Sequence, residues 1–295
     1  MSAPPSPAGR VAPSTRTRQL FSGARRGGRV LGAFPTAVYV GFGAESAAEL
    51  VAVETADGLR LPCAATLAVR SELRPLQAVR AGDVACIGGG RLDVGPLCFD
   101  VVRWWSPRRP RTVTGLGCDS RLTAVTGLLP ALSPELEMRL GALTRTLATS
   151  GEMDLTGAAT ALLGLGEGLT PQGDDVLAGL LVALHAATAT RPMACRLGDV
   201  VAGQAAARTS ALSAALLRDA ADGFAVPALV DLVDALHETG HAVPTGGPTT
   251  YRRLADVVVR LLAVGHTSGA ALAHGVLAAA RLHATMPVRG EGVLT

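Results

Sequence analysis

Apolar positions fall into two regimes along the 295 residues. Up to about residue 102 they come in short Val-rich runs, VLGAFPTAVYVGF, AELVAVET and LRLPCAATLAV, separated by Gly, Asp-Gly or Pro. Runs of this kind read as strands. The segment AGDVACIGGGRLDVGPLCFDVV adds two more strands around the turn Gly88-Gly89-Gly90. Several short strands at close spacing predict a small barrel or sandwich. The Arg- and Pro-rich stretch from Arg103 to Arg111 marks its end and reads as an exposed linker that packs two tryptophans on the barrel edge, with a partner-binding patch as the alternative.

Beyond this stretch the apolar spacing turns helical. LSPELEMRLGALTRTLATS opens with Ser133 as N-cap, Pro134 in the first turn and two glutamates near the positive dipole end. PALVDLVDALHETG carries apolar residues three and four apart and stops at Gly240. TYRRLADVVVRLLAVG and SGAALAHGVLAAARLH repeat the pattern without forming a tandem repeat. The fold class expected is α+β: a β domain over 26–118 and a helical domain over 119–295. The Pro-, Ser- and Arg-rich start reads as a flexible tail over 1–25.

Composition removes several mechanisms. All 27 basic residues are Arg, Asn is absent, and Ile occurs once, at Ile87. Codons for Lys, Asn and Ile are AT-rich, so a GC-rich, bacterial genome accounts for this. A Lys Schiff base, a Walker-type lysine and an Asn oxyanion donor are all excluded. A net charge of +3 is too small to argue for nucleic acid. The apolar run from Val176 to Leu184 falls well short of the ~20 residues of a membrane span and reads as a core helix. No apolar segment near the start is long enough for a secretory signal. The five cysteines, Cys63, Cys86, Cys98, Cys118 and Cys195, have no CxxC spacing and read as free buried thiols in a reducing cytoplasm. No metal site and no cofactor is expected.

Chemistry concentrates in LLGLGEGLTPQGDDVLAGLLVALH, residues 162–185. Thr170 and Pro171 read as N-cap and first helical residue. Gly164, Gly166, Gly168 and Gly173 let backbone N–H groups approach a ligand, and a helix start with exposed N–H groups forms an anion site without lysine. Asp174 and Asp175 lie about one turn in. They are suited to holding a metal, taking a proton or fixing an amine, and carboxylates beside so apolar a segment are expensive to bury idly. The bland alternative is a capped, buried helix.

Two further stretches share this grammar. AVGHTSGAALAHGVL places Gly265, His266, Thr267, Ser268 and Gly269 before another apolar helix, with His266 a proton donor, an anion ligand or a plain hydrogen-bonder. RTSALSAALLRDAADG gathers Arg208, Thr209, Ser210 and Ser213, with Thr209 and Ser213 expected on one helix face. Hydroxyls so placed commonly bond back to the backbone. The remaining histidines, His185, His237, His241, His274 and His283, are read as structural.

The order GLGEGLTPQGDD, TSALSAALLRDAADG, VGHTSGAALAHGVL resembles the bacterial family that includes the AllH subunit of oxamate carbamoyltransferase. The resemblance runs from about Phe21 to about Leu282 and is most specific at Gly164 to Asp175. The family motif has Ser where this chain has Gln172, and an aspartate near the position of Ala271. The resemblance implies an N-terminal β domain, a helical C-terminal domain and a part in a multi-subunit enzyme of ureide (allantoin) nitrogen catabolism. That enzyme moves a carbamoyl group between phosphate and oxamate. Its expected partners are carbamoyl phosphate or a similar small anion and the other carbamoyltransferase subunits, with neither nucleic acid nor membrane. Such transfer needs no lysine and no covalent intermediate, only a phosphate cradle, donors to the carbonyl and an oriented amide. The loop N–H groups of Gly166 to Thr170 and Arg208 suit the anion, His266 suits an oxyanion, and Asp174 or Asp175 suits the amide proton. The anion site would also draw on Gly173, Thr209, Ser213, Thr267, Ser268 and Gly269. Two other readings stay open: a non-catalytic anion-binding or scaffold subunit, and a metal-dependent transferase or hydrolase using the paired aspartates.

Overall fold

The computed structural model describes residues 9–43, 49–113, 119–149, 152–237 and 248–285. Its first part is a closed eight-stranded barrel: β1 (Gly9–Pro13), β2 (Arg26–Ala33), β3 (Ala37–Phe42), β4 (Glu49–Glu54), β5 (Ala64–Leu67), β6 (Val84–Gly88), β7 (Arg91–Val94) and β8 (Leu97–Val101), with a short helix α1 (Arg18–Ser22) after β1. Around the barrel the order is β1-β5-β4-β3-β2-β6-β7-β8, and closure comes from parallel pairing of β1 with β8. The pair β4–β5 is also parallel, and the remaining neighbours are antiparallel.

Alternation along β4 explains how the barrel meets the rest of the chain. Val51 and Val53 point into the barrel core with Val38, Val40 and Phe42 of β3. Leu50 and Ala52 point the other way and join the core of the helical region, together with Leu61, Cys63 and Ala64. A strand buried on both faces has no polar alternation, which is why LVAV within AELVAVET is apolar without a break.

Three expectations change here. Residues from Gly9 onward are no tail: β1 closes the barrel, and Leu20 and Phe21 of α1 are buried in its core, while residues 1–8 lie outside the described set. VLGAFPTAVYVGF is a hairpin, β2–β3, turning at residues 34–36. The stretch around Gly88-Gly89-Gly90 holds three strands, because a second turn with Gly95 at φ +52° separates β7 from β8.

The helical region follows as α2 (Asp119–Thr126), α3 (Pro134–Thr149), α4 (Glu152–Thr160), α5 (Gln172–Ala186), α6 (Arg191–Arg208), α7 (Ala211–Ala221), α8 (Pro227–His237), α9 (Pro248–Leu262) and α10 (Ser268–Ala284). α3 starts as its sequence predicts, with Ser133 Oγ accepting from the Leu136 N–H at 3.3 Å and Glu135 and Glu137 in the first turn. The stop expected at Gly240 lies outside the described residues. α5 is the central helix, packed by α10, α7, α6 and α8. Its apolar surface is buried all round, as periodicity without a polar face requires. α5 and α10 touch backbone to backbone: a Cβ at Gly179 would sit 2.0 Å from the Leu272 carbonyl oxygen, and one at Gly275 2.1 Å from that of Val176. Among the described residues no helix is long and apolar enough to cross a membrane.

The Arg- and Pro-rich stretch does more than link. Trp104 packs edge-on to Phe21 and Trp105 lies under the Arg60 guanidinium. Arg108 then reaches α8, donating to Asp234 at 2.6 Å and to Asp231, and the Arg111 N–H donates to Asp234 at 2.7 Å. On the other side Arg16 joins Asp219 at 2.9 Å and Asp222 at 2.5 Å. Barrel and bundle are therefore strapped at two places beside their shared apolar core. Of the cysteines, Cys63 and Cys98 are buried, Cys86 is half-buried and Cys195 is exposed, against the expectation that all were buried; Cys118 lies outside the described residues.

Candidate functional site

The glycine loop turns through left-handed backbone at Gly164, Gly166 and Gly168, with φ of +73°, +117° and +91°. At Gly164 a side chain is excluded twice over, since a Cβ would lie 2.2 Å from the Arg208 carbonyl oxygen. α5 then begins one residue later than expected. Pro171 is the cap, with ψ 143°, and its carbonyl accepts from the Asp174 and Asp175 N–H groups at 3.0 and 3.1 Å. Thr170 makes no cap. Its hydroxyl instead lies 3.0 Å from Ser268 Oγ, joining the glycine loop to the start of α10.

The two aspartates part company. Asp174 Oδ1 accepts from the Gly164 N–H at 2.8 Å, Oδ2 accepts from the Thr209 hydroxyl, and the Ser213 hydroxyl adds a further bond. Burial raises its pKa and these bonds oppose the rise. Asp175, 6% exposed, is bonded by the Ser268 hydroxyl, and its Oδ2 has no hydrogen-bond partner. Burial pushes Asp175 up to about 7, against the Ser268 bond and with a smaller push from the charge of Asp174.

Asp175, Thr170 and Ser268 face a cavity of about 500 Å³ at the seam of barrel and bundle. Phe34, Thr36 and Tyr39 come to it from the β2–β3 hairpin and β3, and Phe224 and Leu272 from the helices. Among the described residues no Arg or His lines it. Tyr39 is pushed up to about 12 by burial, with Glu54 and Cys63 adding to the rise. The barrel residues of this cavity carried no sequence signal, because an apolar hairpin looks the same whether it faces a core or a ligand.

The other expected site residues are placed as follows. Gly265 lines the cavity next to Ser268, and Gly269 is buried, its N–H bonded to the Val264 carbonyl. Thr267 caps α10 by position without a side-chain bond and is exposed. Gly166 and Gly168 stand on the exposed loop, while Gly173 packs under it against the Leu162 carbonyl. His266 is exposed and outside the cavity, and so is Arg208, whose Nε donates to Gln204 at 3.3 Å. Thr209 and Ser213 do not share a helix: Thr209 ends α6, and Ser210 caps α7 by accepting from the Ser213 N–H at 3.0 Å. They meet at Asp174 because the break folds one over the other. The histidines expected to be structural include one pair with metal-ligand spacing, His237-Glu238-Thr239-Gly240-His241, which spells HExxH. α8 is described only to His237, and among the described residues no three His, Cys, Asp or Glu side chains gather as a metal-ligand set.

Fold and cavity together define an α+β protein with a small-molecule-sized pocket floored by one buried carboxylate. Residues 162–280 match the family model of the oxamate carbamoyltransferase subunit AllH, the family that the three motifs resemble. The matched segment starts two residues before the glycine loop and takes in all three motifs. No curated protein and no solved structure matches the chain.

Proposed function

We propose that this chain is a subunit of a cytoplasmic carbamoyltransferase that moves a carbamoyl group between phosphate and a small amide-acid such as oxamate, in ureide nitrogen catabolism. The observation that carries the reading is Asp175: a buried carboxylate with an orphan oxygen, at the point where the glycine loop meets the Thr267-Ser268-Gly269 stretch. The family match over residues 162–280 supports it.

In the transfer, the amide nitrogen attacks the carbamoyl carbon, the bond from that carbon to the phosphate oxygen breaks, and the amide proton must leave. Asp175 receives that proton at its free oxygen. A carboxylate titrating near 7 is matched to the task at neutral pH. The apolar walls exclude water and strengthen the hydrogen bonds made inside. Ser268 and Thr170 orient the acceptor's polar end. Since no Arg among the described residues lines the cavity, the cations that hold the phosphate come from other subunits of the complex. Asp174 is a positioning residue that fixes the loop through Gly164 and Thr209.

The test is transfer from carbamoyl phosphate to oxamate by the complex reconstituted with wild-type or Asp175→Asn chain. Loss of a general base lowers the rate ~10²–10⁴-fold, with the thermal melt unimpaired. Full activity in the variant overturns the assignment and favours the second reading, a binding subunit, for which the apolar lining of the cavity speaks.

A further inference from the structure

We propose that the cleft between residues 109–112, the end of α5 and the last turn of α7 is a binding site for a small phosphate-class oxyanion, separate from the Asp175 cavity. The cleft has a volume of about 400 Å³ and is lined by Arg109, Thr112, His185, Arg191, Asp222 and Gly223, among others. It brings together two guanidinium groups that, among the described residues, have no carboxylate partner. Asp222, the acid that lines the cleft, is engaged by Arg16 at 2.5 Å.

Both cations are fixed in place. Arg109 stacks its guanidinium 4.1 Å from the centre of the Phe224 ring, which leaves the N–H edge of the group free to donate. Arg191 Nη2 is anchored at 3.3 Å to the Thr112 hydroxyl and at 3.3 Å to the His185 carbonyl. Gly223, at φ +80°, keeps the floor low: a Cβ there would lie 3.3 Å from that of His185 and 3.8 Å from Arg109 Cδ. The imidazole of His185 has its pKa lowered by burial first; its bond to the Ala221 carbonyl opposes this, Arg191 and Arg109 lower it further, and Asp222 raises it. Two guanidinium groups with no carboxylate partner among the described residues, in a pocket of this size, match the oxygens of a small dianion. Phe224, which also carries Arg16 at 4.7 Å, lines the Asp175 cavity as well.

The test is calorimetric titration of the full chain with inorganic phosphate, at ionic strength held constant with chloride. The proposal expects saturable binding. Arg109→Gln and Arg191→Gln should each weaken it about tenfold or more, as loss of a charge-assisted bond does, and Arg109→Lys should keep part of it. Arg29→Gln on the barrel and Asp175→Asn should bind phosphate like wild type, which separates this site from the proposed carbamoyl site. Thermal melts without phosphate establish that each variant is folded. Titration with glycerol phosphate distinguishes a phosphomonoester from free phosphate as the preferred ligand. No saturable binding by wild type at about 20 mM phosphate, or equal binding by folded Gln variants, overturns the proposal.

Discussion

Asp175→Asn should change how stability depends on pH, and the change can be worked out beforehand. In the folded chain Asp175 titrates near 7, against 3.8 for an ordinary aspartate. The native state then holds a proton that the unfolded state has released, so stability falls as pH rises through this window. The contribution is fully present below about 4 and gone above about 7. At 1.36 kcal/mol for each pH unit, the whole span is worth about 4 kcal/mol, of which about 2 kcal/mol is lost between pH 5.5 and pH 8. Asn cannot ionise, so the variant escapes this decline. Glu54, also pushed up to about 7, and Asp219, pushed up to about 6, decline in both proteins and cancel in the difference. The measurement is the melting temperature of both proteins at pH 5.5 and 8. At about 2–4 °C for each kcal/mol, the variant should gain about 4–8 °C on wild type between the two pH values. A difference that stays constant with pH would refute the reasoning: Asp175 would then ionise like a solvated carboxylate.

Two substitutions test the frame around the site. Asp174→Asn should destabilise by about 1–3 kcal/mol, because an amide cannot accept from both the Gly164 N–H and the Thr209 hydroxyl, and activity should fall only in proportion to the unfolding seen in parallel melts. Gly275→Ala drives a Cβ to within 2.1 Å of the Val176 carbonyl oxygen and should cost about 1–3 kcal/mol or more by prising α10 from α5; an unchanged urea midpoint would show that the contact yields freely.

The barrel was legible where its strands lie in short apolar runs, as β3 and β4 do, and α3 and α8 because their apolar residues fall three and four apart, with a strong cap at Ser133 for α3. What escaped was set by partners distant in sequence. The segment RVAP looked like the end of a flexible tail, yet β1 is a strand because β5 and β8 lie ready on either side of it. Arg16, Arg108 and Arg109 looked like solvated charge; their roles depend on Asp219, Asp222, Asp234 and Phe224, all more than 100 residues away. Thr170-Pro171 has the composition of a helix cap, but Ser268 offered the hydroxyl a partner and the chain stayed extended through Pro171. Local pattern could not weigh that competition.

The same limit governs the paired aspartates. In the sequence Asp174 and Asp175 are equivalent, both one turn into an apolar helix behind a glycine loop. On the helix they are about 100° apart, and that rotation divides the work. Asp174 meets the break between α6 and α7, where Thr209 and Ser213 and the Gly164 N–H fill its acceptor sites. Asp175 meets the seam with the barrel, where Ser268 engages it and Oδ2 is left with no partner. A buried acceptor without a donor costs about 1–3 kcal/mol, more when it is charged, and nothing in the packing of α5 required it, since the neighbouring positions Val176 and Leu177 are simply apolar. Asp174 repays its burial within the fold. Asp175 does not, and an incoming amide N–H would supply the missing donor, which is why the proposed chemistry rests on the second aspartate and not on the pair.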